Sequence, residues 1–210
     1  MTRILIVDDH PLVRRGIVQV LGPEFPDGVV GEAATAAEAL NAIWSESWSL
    51  VVLDISLPGR NGLEVLKEIK TARPKLPVLV LSTYPESQFA TRALRAGAAG
   101  YLTKEAPPEV LLRAVRQTMN GGKFISPAAA EQLASEIMLD SSKPLHELLS
   151  DREYDVFLRI GSGQGVAEIA AALNLSVKTI STYRTRILEK TGMKNNAELA
   201  QYAIRNKLVG

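Results

Sequence analysis

Short apolar runs alternate with longer, patterned segments through the first 120 residues. The runs are ILIV at 4 to 7, VVGEAA at 29 to 34, LVVL at 50 to 53, VLVL at 78 to 81 and AGYL at 99 to 102. Between them apolar positions recur at helical spacing, so this part reads as five strands alternating with five helices. That order implies right-handed crossovers and an α/β, doubly wound parallel sheet covered on both faces. Pro11 suits the first turn of the first helix, and Gly62 and Pro85 stand near later helix starts.

The pattern changes after Asn120. Gly121-Gly122 breaks the fifth helix, Ser126-Pro127 offers a cap and a first-turn proline, and Ser141-Ser142-Lys143-Pro144 reads as a flexible stretch. Residues 121 to 147 are therefore expected to be a linker holding one helix, between a first domain at 1 to 120 and a second at 148 to 210. The second shows no strand pattern. Ser150-Asp151-Arg152-Glu153 matches a capping box and opens a helix with Val156, Phe157 and Ile160 on its apolar face. Further helices are expected at about 166 to 173, 177 to 190 and 196 to 206, which makes a small all-α domain of four helices.

Composition adds only bounds. With 46% hydrophobic and 22% charged residues the chain is an ordinary globular protein. It has no cysteine, which excludes disulfides and thiolate metal sites and fits a reducing compartment. No apolar stretch approaches the roughly 18 residues of a membrane span, so a cytoplasmic protein is expected. Net charge is only +1, but it is unevenly spread. Residues 1 to 120 carry 13 basic and 13 acidic side chains, against 9 and 6 in residues 148 to 210. Lys178, Arg184, Arg186, Lys190 and Lys194 face one acid, Glu189, within residues 176 to 194, a candidate polyanion surface.

Two constellations carry chemistry. Asp8 and Asp9 end the first strand, Asp54 the third and Ser82 the fourth, and Lys104 follows the fifth. In a parallel sheet these positions share the carboxyl edge, and in the order 2-1-3-4-5 strands 1 and 3 meet where the winding reverses. Three carboxylates so placed repel, and a divalent cation relieves that; an all-oxygen set favours a hard ion such as Mg²⁺. A carboxylate can also act as a nucleophile toward phosphorus, with a lysine and a hydroxyl at the phosphoryl oxygens. Singly, Asp9 reads equally as a helix cap, Lys104 as a surface lysine and Ser82 as a turn serine. Their joint placement on successive strand ends favours a site.

The second constellation is VAEIAAALNLSVKTISTYRTRILEK at 166 to 190, a helix, a tight turn and a helix. Asn174 tolerates the left-handed conformation such a turn needs, and Ser176 can cap the next helix. Projection at 100° per residue puts Val177, Ile180, Ile187 and Leu188 on one side and Lys178, Ser181, Thr182, Thr185 and Arg186 on the other. Small hydroxyls flanked by cations suit a major groove, although a solvated charged face has the same composition.

ILIVDDH, VVLDISLPGRNGLEVLKEI, VLVLST and AGAAGYLTKEA resemble the receiver domain of a two-component response regulator over residues 1 to 120. The spacings agree: 45 residues from Asp9 to Asp54, 28 on to Ser82 and 22 more to Lys104. The resemblance implies Asp54 as phospho-acceptor, Asp9 and Asp54 as Mg²⁺ ligands with the backbone carbonyl of Ser56, and Asp8 as an acid beside them. It implies Ser82 and Lys104 as phosphoryl contacts and Tyr101 as an aromatic that turns inward when Ser82 moves; read alone, Tyr101 could be a rim residue with its hydroxyl in water. The family's Lys-Pro is absent, since Glu105 follows Lys104.

The tail resembles the LuxR-type helix-turn-helix domain through Leu-Ser-x-Arg-Glu at 149 to 153, Glu168-Ile169-Ala170, Leu175-Ser176-x-x-Thr179-Ile180 and Lys190. Receiver plus this module is the layout of the NarL/FixJ subfamily, and KTISTYRTRILEK looks most like its BvgA/EvgA-type members. Ser181, Thr182 and Thr185 would then read bases, while Lys178, Tyr183, Arg184, Arg186 and Lys190 hold the DNA backbone. Lys194-Asn195-Asn196 stands where an arginine is common. The last helix would pair two subunits, or its Ala197, Ala200, Ala203 and Ile204 stripe would be core. Implied partners are a sensor histidine kinase or phosphotransfer protein, double-stranded DNA, RNA polymerase and a second copy of the chain. An enzyme of the Mg²⁺-dependent phosphatase type is disfavoured, because Ser56 stands where a second aspartate would serve as general acid.

Overall fold

The structure is a computed structural model that describes residues 1–138 and 144–209, without the side chains of 132 and 134–138. The flexible stretch expected at 141 to 143 lies outside the described residues. The chain divides into two compact units, Met1–Glu136 and Ile137–Gly210.

The first unit runs β1 (Arg3–Val7), α1 (Pro11–Leu21), β2 (Val29–Ala33), α2 (Ala36–Ser45), β3 (Leu50–Leu53), α3 (Gly62–Ala72), β4 (Val78–Ser82), α4 (Glu86–Arg95), β5 (Gly100–Thr103), α5 (Pro108–Met119) and all but the last two residues of α6 (Pro127–Met138). The strands form one parallel sheet in the order β2-β1-β3-β4-β5, as the alternating pattern implies. All four residues of β3 are buried, which explains why that run is apolar without alternation: helices cover both its faces. Ile4, Ile6, Leu50, Val52, Leu79, Leu81 and Leu102 meet Ile17 and Leu21 of α1 and Leu111, Ala114 and Val115 of α5 in one core layer.

Register delivers the chemistry to one edge. Val7 pairs with Leu53, so the residues after them emerge side by side. Asp54 N–H donates to the Val7 carbonyl at 2.9 Å, and Asp8 N–H to that of Ala33 at 3.1 Å. Across the sheet, Lys104 N–H donates to the carbonyl of Ser82 at 2.7 Å. The first unit also continues past 120. Phe124 N–H donates to the Ala99 carbonyl at 2.8 Å, Phe124 bridges Gly100, and its ring joins the α1/α5 core layer. Phe124 therefore packs on the sheet edge, a role the linker-like composition around it hides.

The described residues of the second unit hold a 3₁₀ turn (Leu145–Leu148) and α7 (Asp151–Gly161), α8 (Val166–Ala172), α9 (Val177–Thr191) and α10 (Asn196–Arg205). The capping box forms as its spacing predicts: Glu153 N–H donates to Ser150 Oγ at 3.3 Å and Ser150 N–H to Glu153 Oε2 at 2.8 Å. Asn174 takes φ +52° in the turn between α8 and α9, and Gly192, at φ +71°, ends α9. Ile180 and Ile187 are fully buried, but Val177 is 53% exposed, which corrects the projection that placed it with them. Val177 opens the first turn of α9, at the end of the helix rather than in its packed middle. The α10 stripe is divided: Ala203 is core, whereas Ile204 is 60% exposed.

Candidate functional site

The acidic pocket assembles from three strand ends. One ligand-type atom from each of Asp8, Asp9, His10 and Asp54 lies within 4.8 Å of the others. Asp8 and Asp54 are buried, and Lys104 Nζ sits between them, 2.6 Å from Asp8 Oδ2 and 2.7 Å from Asp54 Oδ2. Burial pushes the Asp54 carboxyl above the usual aspartate range, against the lowering influence of the Lys104 ammonium and the Ser56 N–H. Burial also disfavours the Lys104 ammonium, yet Asp54 and Asp8 outweigh it and hold that lysine above its ordinary value. Ser56 N–H donates to Asp54 Oδ1 at 3.0 Å, which fixes the carboxylate's orientation from its own loop.

The donor set fits a hard divalent cation. Asp9 Oδ1 is shut off from solvent and receives no well-directed hydrogen bond, although His10 Nδ1 stands 2.7 Å from it. A buried carboxylate oxygen in that condition is costly without a cation.

Ser82 and Tyr101 lie on the next two strands, β4 and β5. Ser82 is fully buried, and its Oγ accepts the Tyr84 N–H at 3.2 Å. Tyr101 is 3% exposed, and its hydroxyl donates to the Tyr84 carbonyl at 2.8 Å. Tyr101 thus stands inward, and the rim reading, with its hydroxyl in water, does not describe it. Tyr84 is held through both its peptide groups, and its ring lies 4.6 Å from that of Phe89 in α4.

Three participants escaped sequence reasoning. His10 donates its N–H to Asp8 Oδ1 at 2.8 Å, and its ring reaches both aspartates. An Asp-Asp-His run is itself a ligand-like signal that could have found it. Arg14 donates to the Asp8 carbonyl at 2.6 Å and to Glu32 Oε2 at 2.8 Å, so it braces the β1 end; nothing in the sequence marks it. Asn61 is buried and caps α3 by accepting the Leu63 N–H at 2.8 Å, as an Asn before a helix suggests.

On the second unit, Lys178, Ser181, Thr182, Thr185 and Arg186 are exposed along α9, and Tyr183 and Arg184 are half-buried beside them. Ser176 caps the helix by accepting the Thr179 N–H at 3.0 Å. A shallow hollow lined by Ser176, Lys178, Thr179, Thr182, Tyr183 and Arg186 opens on this face. Arg184 is partly engaged, its Nε 2.6 Å from Asn196 Oδ1. Lys190 has a second engagement: its Nζ is 2.6 Å from the buried carboxylate of Glu153, so it also pins α9 to α7.

Comparison with known proteins agrees with this geometry. Residues 4–116 match the family described as "Response regulator receiver domain", and residues 147–203 match "Bacterial regulatory proteins, luxR family". The chain is 38% identical to the response regulator GacA of Pseudomonas protegens over 209 residues, covering 100% of this chain and 98% of the relative. It is 36% identical to the response regulator UvrY of Escherichia coli, covering 99% and 96%. Among solved structures it resembles RcsB of Salmonella enterica serovar Typhimurium bound to the promoter rprA in the presence of the phosphomimetic BeF3-, with TM-score 0.65 and 27% identity over 96% of this chain and 97% of that one. Among the described residues no helix is long and apolar enough to cross a membrane. The chain belongs to the two-component response regulators of the NarL/FixJ layout, with a receiver domain followed by a LuxR-type DNA-binding domain.

Proposed function

We propose that Asp54 is the phospho-acceptor of this transcription regulator, and that its modification controls DNA binding by α9. The observation that carries the reading is the buried Asp54 carboxylate held 2.7 Å from Lys104 on the carboxyl edge of the sheet, beside Asp8 and Asp9. An Asp54 oxygen attacks the phosphorus of a phosphohistidine on a sensor kinase or phosphotransfer protein. A P–O bond forms, the P–N bond breaks, and the electron pair returns to the imidazole, which takes up a proton. Asp9, Asp54 and the Ser56 carbonyl would hold Mg²⁺, with Asp8 beside them, and the ion supplies charge neutralisation at the phosphoryl oxygens.

The chain's own residues do the rest. The phosphoryl group adds about −1.5 to −2 of charge, and Lys104, already at Asp54, turns its ammonium to it. Ser82 turns to donate its hydroxyl to a phosphoryl oxygen, and this displaces the Oγ that accepts the Tyr84 N–H. Because Tyr101 holds the carbonyl of the same residue, movement at Ser82 is transmitted through the Tyr84 backbone to the start of α4. Hydrolysis of the aspartyl phosphate by water resets the switch. Two copies, paired in part through exposed Ile204 of α10, then place two α9 helices in half-sites about one helical turn apart. RNA polymerase is the downstream partner of such a regulator.

Retention of genomic DNA fragments tests the reading. Treatment with acetyl phosphate and Mg²⁺ should increase retention by the wild-type chain and leave Asp54→Asn unchanged; equal retention by both would contradict it.

A further inference from the structure

The hydroxyls on α9 have already spent their hydrogens. Ser181 Oγ donates to the Val177 carbonyl at 2.9 Å, Thr182 Oγ1 to that of Lys178 at 3.0 Å, and Thr185 Oγ1 to that of Ser181 at 3.1 Å. Each is a bond back to residue i−4 within the helix. What these exposed side chains still offer is oxygen lone pairs on all three and a methyl group on Thr182 and Thr185. Between Lys178 and Arg186 these three are the exposed side chains of the helix. None is an Arg, Asn or Gln that could make a bidentate contact with guanine or adenine. The half-buried Arg184 between them is tied to Asn196.

In the major groove, guanine offers only acceptors, cytosine and adenine each offer an exocyclic amino group, and thymine offers a methyl group. A face of acceptors and methyls therefore has partners on A·T pairs and on cytosine, and none on the guanine edge. We propose that α9 reads its site as an acceptor-and-methyl surface. Thr182 and Thr185 place methyls against thymine C5-methyls, and the oxygens of Ser181, Thr182 and Thr185 accept from adenine or cytosine amino groups. Lys178 and Arg186 hold the flanking phosphates without selecting bases. This inference rests on the reading of α9 as the DNA-contacting helix and deepens it by naming the base chemistry.

The full chain, treated with acetyl phosphate and Mg²⁺, is used to enrich duplexes from a random-sequence library. The enriched duplex is then remade with deoxyuridine for thymidine, or with purine for adenine, within each half-site. Loss of one contacted methyl should weaken wild-type binding roughly fourfold per position. The double variant Thr182→Ser, Thr185→Ser should lose affinity for the thymine duplex and be indifferent to deoxyuridine. Thr182→Val, Thr185→Val should keep the deoxyuridine penalty and lose part of the sensitivity to purine. Enrichment of a duplex whose binding ignores deoxyuridine, or a serine variant that retains the full penalty, overturns the inference alone. Failure of the wild type to enrich any sequence, with equal retention of all duplexes, overturns the reading of α9 beneath it as well.

Discussion

The Tyr101 hydroxyl donates to the Tyr84 carbonyl across 2.8 Å, while the N–H of the same Tyr84 is held by Ser82 Oγ at 3.2 Å. Ser82 and the buried aromatic are thus joined through one residue of backbone. Tyr101→Phe keeps the ring and removes the hydrogen bond, so it should cost about 1 kcal/mol of first-unit stability in urea unfolding. It should leave phosphoryl uptake by Asp54 intact while reducing the gain in DNA retention that uptake produces. Undiminished gain would show that the Tyr84 linkage carries no signal.

Gly62 supports the acceptor from below. A Cβ added there would stand 2.1 Å from the Asp54 carbonyl oxygen and 2.7 Å from Ile55 Cα, both backbone atoms that cannot swing aside. Gly62→Ala should therefore cost about 3 kcal/mol, the upper end for overpacking, and slow phosphoryl uptake. Gly59→Ala is the contrast. It meets no atom within 4 Å but sits at φ +73°, so about 1 kcal/mol of backbone strain with normal uptake is expected. Urea titration of both variants beside phosphorylation rates separates the two effects.

Much of this was legible in the sequence, and the exceptions share a cause. The apolar runs located all five strands; in central β3 burial on both faces leaves no polar position, and that strand begins and ends as its run does. Asp54, Ser82 and Lys104 could be placed because strand ends in a parallel sheet share one edge. The inward state of Tyr101 could not, since it depends on a carbonyl 17 residues away. Nor could the role of Lys190, whose partner Glu153 is 37 residues distant, or the packing of Phe124 on the β5 edge. The exposure of Val177 was hidden because periodicity carries no information on packing at a helix end.

The Glu153–Lys190 pair makes the second unit acid-sensitive. Burial would raise the Glu153 carboxyl, but the Lys190 ammonium and the N–H groups and hydroxyl of its cap outweigh that and hold it below the ordinary value of 4.5. A carboxyl lowered on folding contributes stability that is present above 4.5 and lost as pH falls through the folded value. Glu153→Gln should flatten that part of the pH–melting curve. Lys190→Ala should lower the neutral-pH stability by about 1 kcal/mol or less.

The same pair predicts which cations act on DNA. Lys178 and Arg186 are exposed, so replacing either with Ala should flatten the slope of log affinity against log salt by about 1. Lys190, whose ammonium is occupied by Glu153, should change that slope by much less. Binding titrations over a series of salt concentrations check this, and an equal change for all three would restore Lys190 to the contact surface.

The central claim is that Asp54 alone receives the phosphoryl group, and intact-mass measurement tests it most directly. After incubation with acetyl phosphate and Mg²⁺, the wild-type chain should gain one phosphoryl mass and Asp54→Asn none. A wild-type mass that stays unchanged, or a phosphoryl gain that persists in Asp54→Asn, would contradict the account.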